Sequence, residues 1–550
     1  MSLKSTIQSM PQLGLLRAVP LSVCLANWGR HFRNEDEGMF RIEPVNDHLS
    51  QKTDRIDNFL SHDWGTGRFV KVLTLLWIFN IRAATIATFL ISCLFGFLRM
   101  SGMGSMLNHW CSILFGYATF VVVLCWWQRI QSLVGFRRKV FLDKLCIAQY
   151  DAKLKQEGIL GLAGFLQKSN ALTILWTPRW ATRLWCTYEL AAFMQEANRP
   201  IELMPVKMAG ILLMQCACWM ALSIAYAIVT TARSADEGDM HGYQLTLIGL
   251  AMYAVVVIAL IASMVYIGQW LMQELAELPG QLRAFRIQDA KCYCCAHGHR
   301  HPKTGERIPC DREYVYWMLR RYFHHHDLEA PESHLDSFNA LVREQLAPVV
   351  LKQAGGSTLP LSYALYACAA CNFPWLIDYI PWWAEGYSSG EMAGMDLFLW
   401  LLRGMMLWAY HPLLQLAMMR ICSMMWKAFL PLAERTWRVV LTTVQVFMML
   451  IIAMVLFMAF RYVYQVTEST SLLPAVPFVA LAILDIALFW RCGEQVPASG
   501  NPGRREPGAS SSCAVGPKKL QEKKAGHPGH SFHLSTAEAE AEGPLVEVKL

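Results

Sequence analysis

Long apolar runs recur along the chain, separated by polar segments, and the runs have the length of membrane helices. A helix needs about 20 apolar residues to cross the hydrocarbon of a bilayer. Each run that approaches or exceeds this length predicts one membrane span, so we expect about eight spans. The runs cover residues 83–100, 111–128, 208–232, 244–272, 359–377, 395–419, 439–460 and 472–490.

Shorter apolar runs in the amino-terminal half alternate with stretches of helical spacing. Four strands are predicted from the runs "IDNFL" (56–60), "KVFLD" (139–143), "LTILW" (172–176) and "IELMPV" (201–206). Repeated strand–helix units favour a parallel sheet covered by helices. We therefore expect one α/β domain built from residues 53–82 and 129–207, with a transmembrane hairpin at 83–128 inserted between its two parts.

The other segments follow from these boundaries. An amino-terminal cytoplasmic segment occupies 1–52, the third and fourth spans 208–272, a cytoplasmic block rich in Cys and His 273–357, and the last four spans 358–490. The tail at 491–550 is rich in Pro, Gly, Ser and charged residues. This composition predicts disorder, because too little apolar surface is present to offset the entropy of ordering.

Composition and charge agree with a membrane protein. Of the 550 residues, 54% are hydrophobic and only 17% are charged, whereas a soluble domain has about 25% charged residues. Arg233 and Arg461 are the only Lys or Arg residues in one alternate set of loops, which comprises 101–110, 233–243, 378–394 and 461–471. Because Lys and Arg are retained on the cytoplasmic side, we expect an integral, multi-pass protein with both termini in the cytoplasm and the lipid bilayer as its partner. The net charge of +7 then reflects topology and predicts no nucleic-acid partner.

Polar residues of the α/β domain cluster where the predicted strands end, in the loops 61–66, 144–157 and 177–182. Ligands of parallel sheets bind beyond the carboxyl ends of the strands, near the point where the strand order reverses. These loops therefore predict a binding site.

Four motifs in chain order resemble those of the Toll/interleukin-1 receptor (TIR) family. They are "FLSHDWG", "VFLDK", "LQKSNALTILWTPRWATRLWCTYEL" and "IELMPV", and together they extend over about 110 residues. The chain also resembles multi-span TIR-like membrane proteins that are numerous in some protists. The resemblance implies a flavodoxin-like domain, a role in signalling, and homo-oligomers formed through this domain. The inserted hairpin and the absence of a visible fifth strand depart from the family pattern.

The resemblance also implies a candidate NAD glycohydrolase, with NAD as the substrate. Many TIR domains cleave NAD with the glutamate of a W-C-x-x-E motif, which is Glu189 here. Trp185 lies four residues earlier and shares a helix face with it. Other TIR domains carry the same motif and act only as adaptors, so both interpretations stay open. The candidate substrate-binding residues are Ser61, His62, Asp63, Trp64, Asp143, Lys144 and Trp185.

The cytoplasmic block contains the segment "CYCCAHGHRHPKTGERIPC". Its residues Cys292, Cys295, His299 and Cys310 offer three thiols and one imidazole, a set that binds zinc in tetrahedral geometry. We expect zinc at this segment. Free or palmitoylated cysteines close to the membrane are the alternative.

Two charged residues, Arg403 and Asp485, lie inside predicted spans, where charges are costly and often functional. They could pair as a structural contact or line a polar path.

We expect a membrane-anchored signalling protein that acts by self-association or NAD cleavage on the cytoplasmic side. A channel or transporter with regulatory cytoplasmic domains is the alternative, although the low polar content of the spans weighs against it.

Overall fold

A computed structural model describes most of the chain up to Trp490. The described residues are 16–33, 48–101, 110–148, 154, 157–159, 161–194, 199–235, 240–300, 305, 307, 309–322, 333–348, 361–388, 397–433, 437–466 and 475–490. The tail at 491–550, for which the composition predicts disorder, lies outside the described residues.

The amino-terminal part contains a mixed sheet of six strands in the order β2-β1-β4-β3-β5-β6. The strands are β1 (Arg17–Pro20), β2 (Gln51–Lys52), β3 (Ile56–His62), β4 (Lys139–Phe141), β5 (Ser169–Trp176) and β6 (Ile201–Pro205). The neighbours among β3 to β6 pair in parallel, so the four predicted strands are confirmed as strands of one sheet.

The expectation of a purely parallel sheet was wrong at one edge. β1 pairs antiparallel with β4, and β2 pairs antiparallel with β1. Val19 and Ala18 of β1 are buried, so this segment covers an apolar edge of the sheet that would otherwise face water. Residues of the predicted amino-terminal segment are therefore part of the α/β domain.

The helices fall into a short set around the sheet and a long set in the remainder of the chain. The short helices are α1 (Leu21–Gly29, interrupted near Ala26), α4 (Asp143–Cys146), α5 (Leu162–Gln167) and α6 (Leu184–Met194). The long helices are α2 (Arg68–Met100), α3 (Cys111–Leu133), α7 (Val206–Ala235), α8 (Met240–Arg283), α12 (Leu361–Ser388), α13 (Leu397–Ala428), α15 (Arg438–Val466) and α16 (Ala475–Trp490). Between them lie α9 (Tyr293–Ala296), α10 (Asp311–Tyr322), α11 (Ser333–Leu341) and α14 (Leu430–Ala433).

Helix α2 belongs to both parts of the protein. Its first turns bury Val72 and Leu75 in the α/β core, whereas Phe97 near its other end is 68% exposed. The predicted boundary between domain helix and span therefore falls inside one uninterrupted helix. Helix α3 packs along α2 and returns the chain to β4, so the helix pair is the crossover between β3 and β4.

Helix α7 starts directly after β6, with no intervening residue. It packs against α2, so the two helices that continue from strands of the sheet run together. Near the start of α7, Lys207 pairs with Glu274 of α8 at 2.5 Å. At the far end of α2, Arg99 pairs with Asp378 of α12 at 3.3 Å. These ion pairs connect the helices at two separate levels.

Four helices within the described residues are long and apolar enough to cross a membrane. They are Arg68–Met100, Cys111–Leu133, Val206–Ala225 and Ile258–Arg283. Shorter apolar stretches occupy Arg438–Ile452 and Ala475–Phe489. All eight predicted windows overlap helices, and the count of eight spans stays a prediction.

The predicted intramembrane charges are only partly described. Helix α16, which carries Asp485, packs against α13 through Leu481, Tyr410 and Ala417. Asp485 is 6% exposed, and among the described residues neither of its carboxylate oxygens has a hydrogen-bond partner. The side chain of Arg403 lies outside the described residues, so the pairing of these two charges stays a prediction.

Candidate functional site

The predicted site residues gather where the chain order of the parallel strands reverses. β3 lies between β4, which follows it in the chain, and β5, the next strand after β4. The connections that leave the carboxyl ends of β3 and β5 therefore diverge and leave a crevice between them. Ser61 and His62 end β3, and the 3₁₀ turn Trp180–Thr182 and helix α6 follow β5.

Glu189 of α6 is held beside this crevice by two consecutive hydrogen bonds. The Ser61 hydroxyl donates to Glu189 Oε2 at 2.6 Å, and the Trp180 indole Nε1 donates to Ser61 Oγ at 2.9 Å. Ser61 and Trp180 are fully buried, whereas Glu189 is partly exposed. The carboxyl group is therefore held from below by two buried side chains while the residue keeps contact with solvent.

Asp63 fixes the two loops to each other. Its carboxylate accepts hydrogen bonds from the Gly65 amide and the Thr66 hydroxyl, both at 3.2 Å. It also forms ion pairs with Arg179 at 2.8 Å and Arg183 at 3.9 Å across the crevice. A Cβ atom at position 65 would meet the Arg179 guanidinium, so a larger residue there would displace this side chain from Asp63. Asp63 is thus a positioning residue whose lone pairs are already used.

A second group connects the loops after β3 and β4. The Trp64 indole Nε1 donates to Asp143 Oδ2 at 2.9 Å. The His62 ring contacts the Trp64 ring edge-on at 4.5 Å and the Phe32 ring at 5.4 Å between centroids. Phe32 comes from the amino-terminal segment, so residues outside the predicted domain boundaries help to build the site.

Burial controls the protonation of these groups. It raises the pKa of Glu189 to about 8; the negative charge of Asp143 adds to this rise and the Ser61 hydrogen bond opposes it. Burial also raises the pKa of Asp143, against the hydrogen bond from Trp64. The pKa of His62 is lowered well below its usual value by burial and by the positive charge of Lys71, so its imidazole is neutral.

Lys71 is a site residue that the sequence did not predict. It lies in the first turn of α2 and is 1% exposed, and its amine has no hydrogen-bond partner in the described part of the chain. The amine lies 5.1 Å from the centre of the Trp64 ring and 5.8 Å from that of Phe32. A lysine between Val70 and Val72 on an inward helix face is the only sequence signal that could have indicated it.

Two predicted binding residues point elsewhere. The Lys144 amine donates to the Arg33 carbonyl at 3.3 Å, although its backbone amide does bind Asp143 Oδ1. The Trp185 indole donates to Asp311 Oδ2 at 3.3 Å. On helix α6, Glu189 therefore contacts the crevice, whereas Trp185 contacts the Cys/His block. The two residues do not lie together at one binding site.

The Cys/His block brings together three of the four predicted zinc ligands, Cys295, His299 and Cys310, and Cys294 completes the group. Cys292 lies in a second group with Cys294 and Asp311. The spacing of Cys292 and Cys295 indicates this segment, but the choice between Cys292 and Cys294 depends on how the chain turns after α9.

No family model, curated protein or solved structure matches the chain in the comparisons made. Glu189, a partly exposed residue whose carboxyl group has a pKa raised to about 8, can exchange a proton or, once ionised, face a developing positive charge. The indole of Trp64 adds an aromatic surface, and the buried Lys71 amine lies behind that ring.

The raised pKa of Glu189 predicts how stability changes with pH. The unfolded side chain loses its proton near pH 4.5, whereas the folded one holds it up to about pH 8. Because the folded state binds the extra proton in this window, stability falls as the pH rises through it. Glu189→Gln, which stays neutral, should lose less stability than the wild-type chain when melting temperatures are compared at pH 5 and pH 8.

Glu344→Gln is the matched control, because Glu344 is exposed, and it should leave the pH dependence unchanged. Identical pH dependence in the wild type and Glu189→Gln would show that the folded chain does not perturb this carboxyl group.

Proposed function

We propose that the protein is a membrane-anchored, TIR-like signalling protein whose flavodoxin-like domain hydrolyses NAD on the cytoplasmic side. The observation that supports this most directly is Glu189, held at the carboxyl edge of the sheet by Ser61 at 2.6 Å. The four parallel strands have the order of a flavodoxin-like sheet through its fourth strand. The motifs that resemble the TIR family are the ones that supply these strands and loops.

The proposed reaction breaks the bond between nicotinamide and ribose. Nicotinamide leaves with the bonding electrons, the ribose carbon becomes oxocarbenium-like, and water adds to give ADP-ribose and a proton. The ionised carboxylate of Glu189 stabilises the positive charge, and Ser61 and Trp180 hold it in position. Trp64 offers a stacking surface for a ring of the dinucleotide.

Self-association of the same domain is part of the proposal. This part rests on the resemblance to TIR domains, which implies homo-oligomers formed through this domain. Such homo-oligomers would bring several sites together and would connect an upstream signal to turnover.

We further propose eight spans with both termini in the cytoplasm. The charge asymmetry of the loops supports this orientation. Arg438, placed on the cytoplasmic side by that asymmetry, lies 3.6 Å from the centre of the Trp270 ring. Lys207, which directly follows the cytoplasmic sheet, lies 5.2 Å from the same ring. The predicted cytoplasmic ends of α7, α8 and α15 thus meet.

Purified full-length protein should hydrolyse NAD, and Glu189→Gln should lower kcat by about 100-fold or more, as expected for loss of a group that stabilises the transition-state charge.

Because the ionised form of Glu189 is the active one, wild-type turnover should rise with pH up to about 8. Ser61→Ala removes the hydrogen bond that lowers the pKa of Glu189 and should move this rise to higher pH.

The control Glu344→Gln should keep wild-type turnover, and the reaction should be followed with and without clustering on liposomes. Wild-type turnover in a folded Glu189→Gln chain would remove this residue from the mechanism. Absence of turnover in every preparation of folded wild-type chain, with self-association intact, would favour the adaptor role instead.

A second candidate function, a channel or transporter with regulatory cytoplasmic domains, is favoured by Asp485. Its side chain is buried on helix α16, and its carboxylate has no hydrogen-bond partner among the described residues. Such a group can bind and release a proton or a cation along a path.

If Asp485 serves transport, proteoliposomes should show a proton or cation flux that Asp485→Asn abolishes. The matched control is Asp378→Asn, because Asp378 is already bonded to Arg99 and Ser112 and should leave the flux intact. Absence of flux in the wild type, or equal flux in Asp485→Asn, would eliminate this candidate.

A further inference from the structure

The Cys/His block places four metal-binding atoms around one point. One ligand atom from each of Cys294, Cys295, His299 and Cys310 lies within 4.8 Å of all the others. The Sγ atoms of Cys294 and Cys295 are 4.0 Å apart, and those of Cys295 and Cys310 are 3.9 Å apart. The four side chains therefore converge on one point, although Cys295 and Cys310 are 15 residues apart in the chain.

These sulfur separations fit a shared metal ion. Tetrahedral zinc with Zn–S bonds of about 2.3 Å separates its sulfur ligands by about 3.8 Å, whereas a disulfide holds its sulfur atoms at about 2.05 Å. Cys292 is different, because its Sγ lies only 3.0 Å from that of Cys294 and also points to Asp311 Oδ2 at 3.8 Å. Cys292 therefore lies beside the group and outside the ligand set.

The backbone is folded specifically to bring His299 back to the cysteines. Gly298 and His299 both have left-handed conformations, with φ of 60° and 58°. A non-glycine residue in this region costs about 1 kcal/mol or more, and it persists where the surroundings fix it. The turn is closed by the His299 amide, which donates to the Cys294 carbonyl at 2.8 Å. After the turn, the backbones of Arg300 and Arg307 form an isolated antiparallel β-bridge. This bridge brings the chain back towards Cys310.

A backbone amide also supports the charge that a metal-bound thiolate would carry. The Asp311 amide donates to Cys294 Sγ at 3.3 Å. Hydrogen bonds of this kind orient metal ligands and tune their basicity. Cys294 is fully buried, so its thiol is not available to a lipid or an acylating enzyme. The convergent geometry is thus better explained by metal binding than by palmitoylation.

The same block is joined to helix α6 on both sides of the cysteines. Before them, the Lys291 amide donates to the Thr182 carbonyl at 2.7 Å, and the Leu184 amide donates to the Lys291 carbonyl at 3.2 Å. After them, Asp311 accepts the hydrogen bond from the Trp185 indole at 3.3 Å. Both connections meet the first turn of α6, one turn before Glu189.

We propose that Cys294, Cys295, His299 and Cys310 bind one zinc ion, and that the bound ion fixes the start of helix α6 through Lys291 and Asp311. A closed set of three thiolates and one imidazole is typical of structural zinc, and the reducing cytoplasm keeps the thiols available. Zinc then controls the position of the Glu189 helix. The proposal concerns the order of that helix and does not depend on NAD turnover.

The ligand set is tested by the zinc content of the full-length chain, purified in detergent and measured by elemental analysis. The wild type should contain one zinc per chain, and Cys295→Ser or Cys310→Ser should lose it. Cys292→Ser is the matched control and should keep it. A folded wild-type chain without zinc that takes up none when zinc is added, or loss of zinc in Cys292→Ser but not in Cys295→Ser, would overturn the assignment.

Because a ligand variant can also fail to fold, the wild type provides a second, reversible measurement. A chelator should remove zinc, and returned Co²⁺ should give the visible absorption of a tetrahedral thiolate site. Absence of this absorption in chain that has taken up Co²⁺ would contradict the proposed geometry.

The connection to α6 is tested by hydrogen exchange with and without zinc. Removal of zinc should cause loss of protection at residues 182–194 and at Lys291, reversed by added zinc, while β3 and β5 keep their protection. Cys292→Ser should respond as the wild type does. Unchanged exchange in α6 of a chain that demonstrably gains and loses zinc would show that the ion does not fix this helix. NAD turnover is not a readout here, so failure of the zinc proposal is distinct from failure of the proposed function.

Discussion

Helix α2 packs in the α/β core at one end and is long and apolar enough to cross a lipid bilayer at the other, and this double role constrains the rest of the structure. Its 33 residues extend over about 50 Å at about 1.5 Å per residue, whereas the hydrocarbon core is about 30 Å thick. About 20 Å of the helix is therefore left for the sheet. Because α7 also leaves the sheet without a linker and packs on α2, the orientation of the domain relative to the membrane helices is fixed by continuous backbone.

The candidate site depends on the same rigid connection. The loop between β3 and α2 carries Asp63, whose ion pairs to Arg179 and Arg183 hold the opposite loop in place. Glu189 is positioned from that opposite side, by a helix whose first turn is bonded to the Cys/His block. A displacement of α2 or of the block would therefore be transmitted to the crevice through these ion pairs and hydrogen bonds. This arrangement suits a domain that responds to events in the membrane or to a bound metal.

Local pattern was sufficient to predict the strands β3 to β6, because each is an apolar run ended by polar residues, and to place Ser61 in a loop at the carboxyl edge of the sheet. Glu189 was singled out only by the resemblance to the TIR family, and its hydrogen bond with Ser61 was not predicted. Contacts between distant segments could not be predicted this way. β1 and β2 are too short for periodicity to reveal, and their pairing joins residues more than 30 positions apart. Trp185 shares a helix with Glu189, yet its partner Asp311 lies 126 residues away. Likewise, the choice of Cys294 over Cys292 depends on the left-handed turn at Gly298 and His299.

The central claim is that one continuous helix passes from the domain into the bilayer, and spin labels along α2 test it most directly. Phe69, Leu90 and Phe97 are all exposed on this helix, so a spin-labelled residue at each should preserve the fold. In liposomes the label at 69 should collide with a water-soluble paramagnetic reagent, and the labels at 90 and 97 with oxygen dissolved in the lipid. Aqueous accessibility at all three positions would contradict the account.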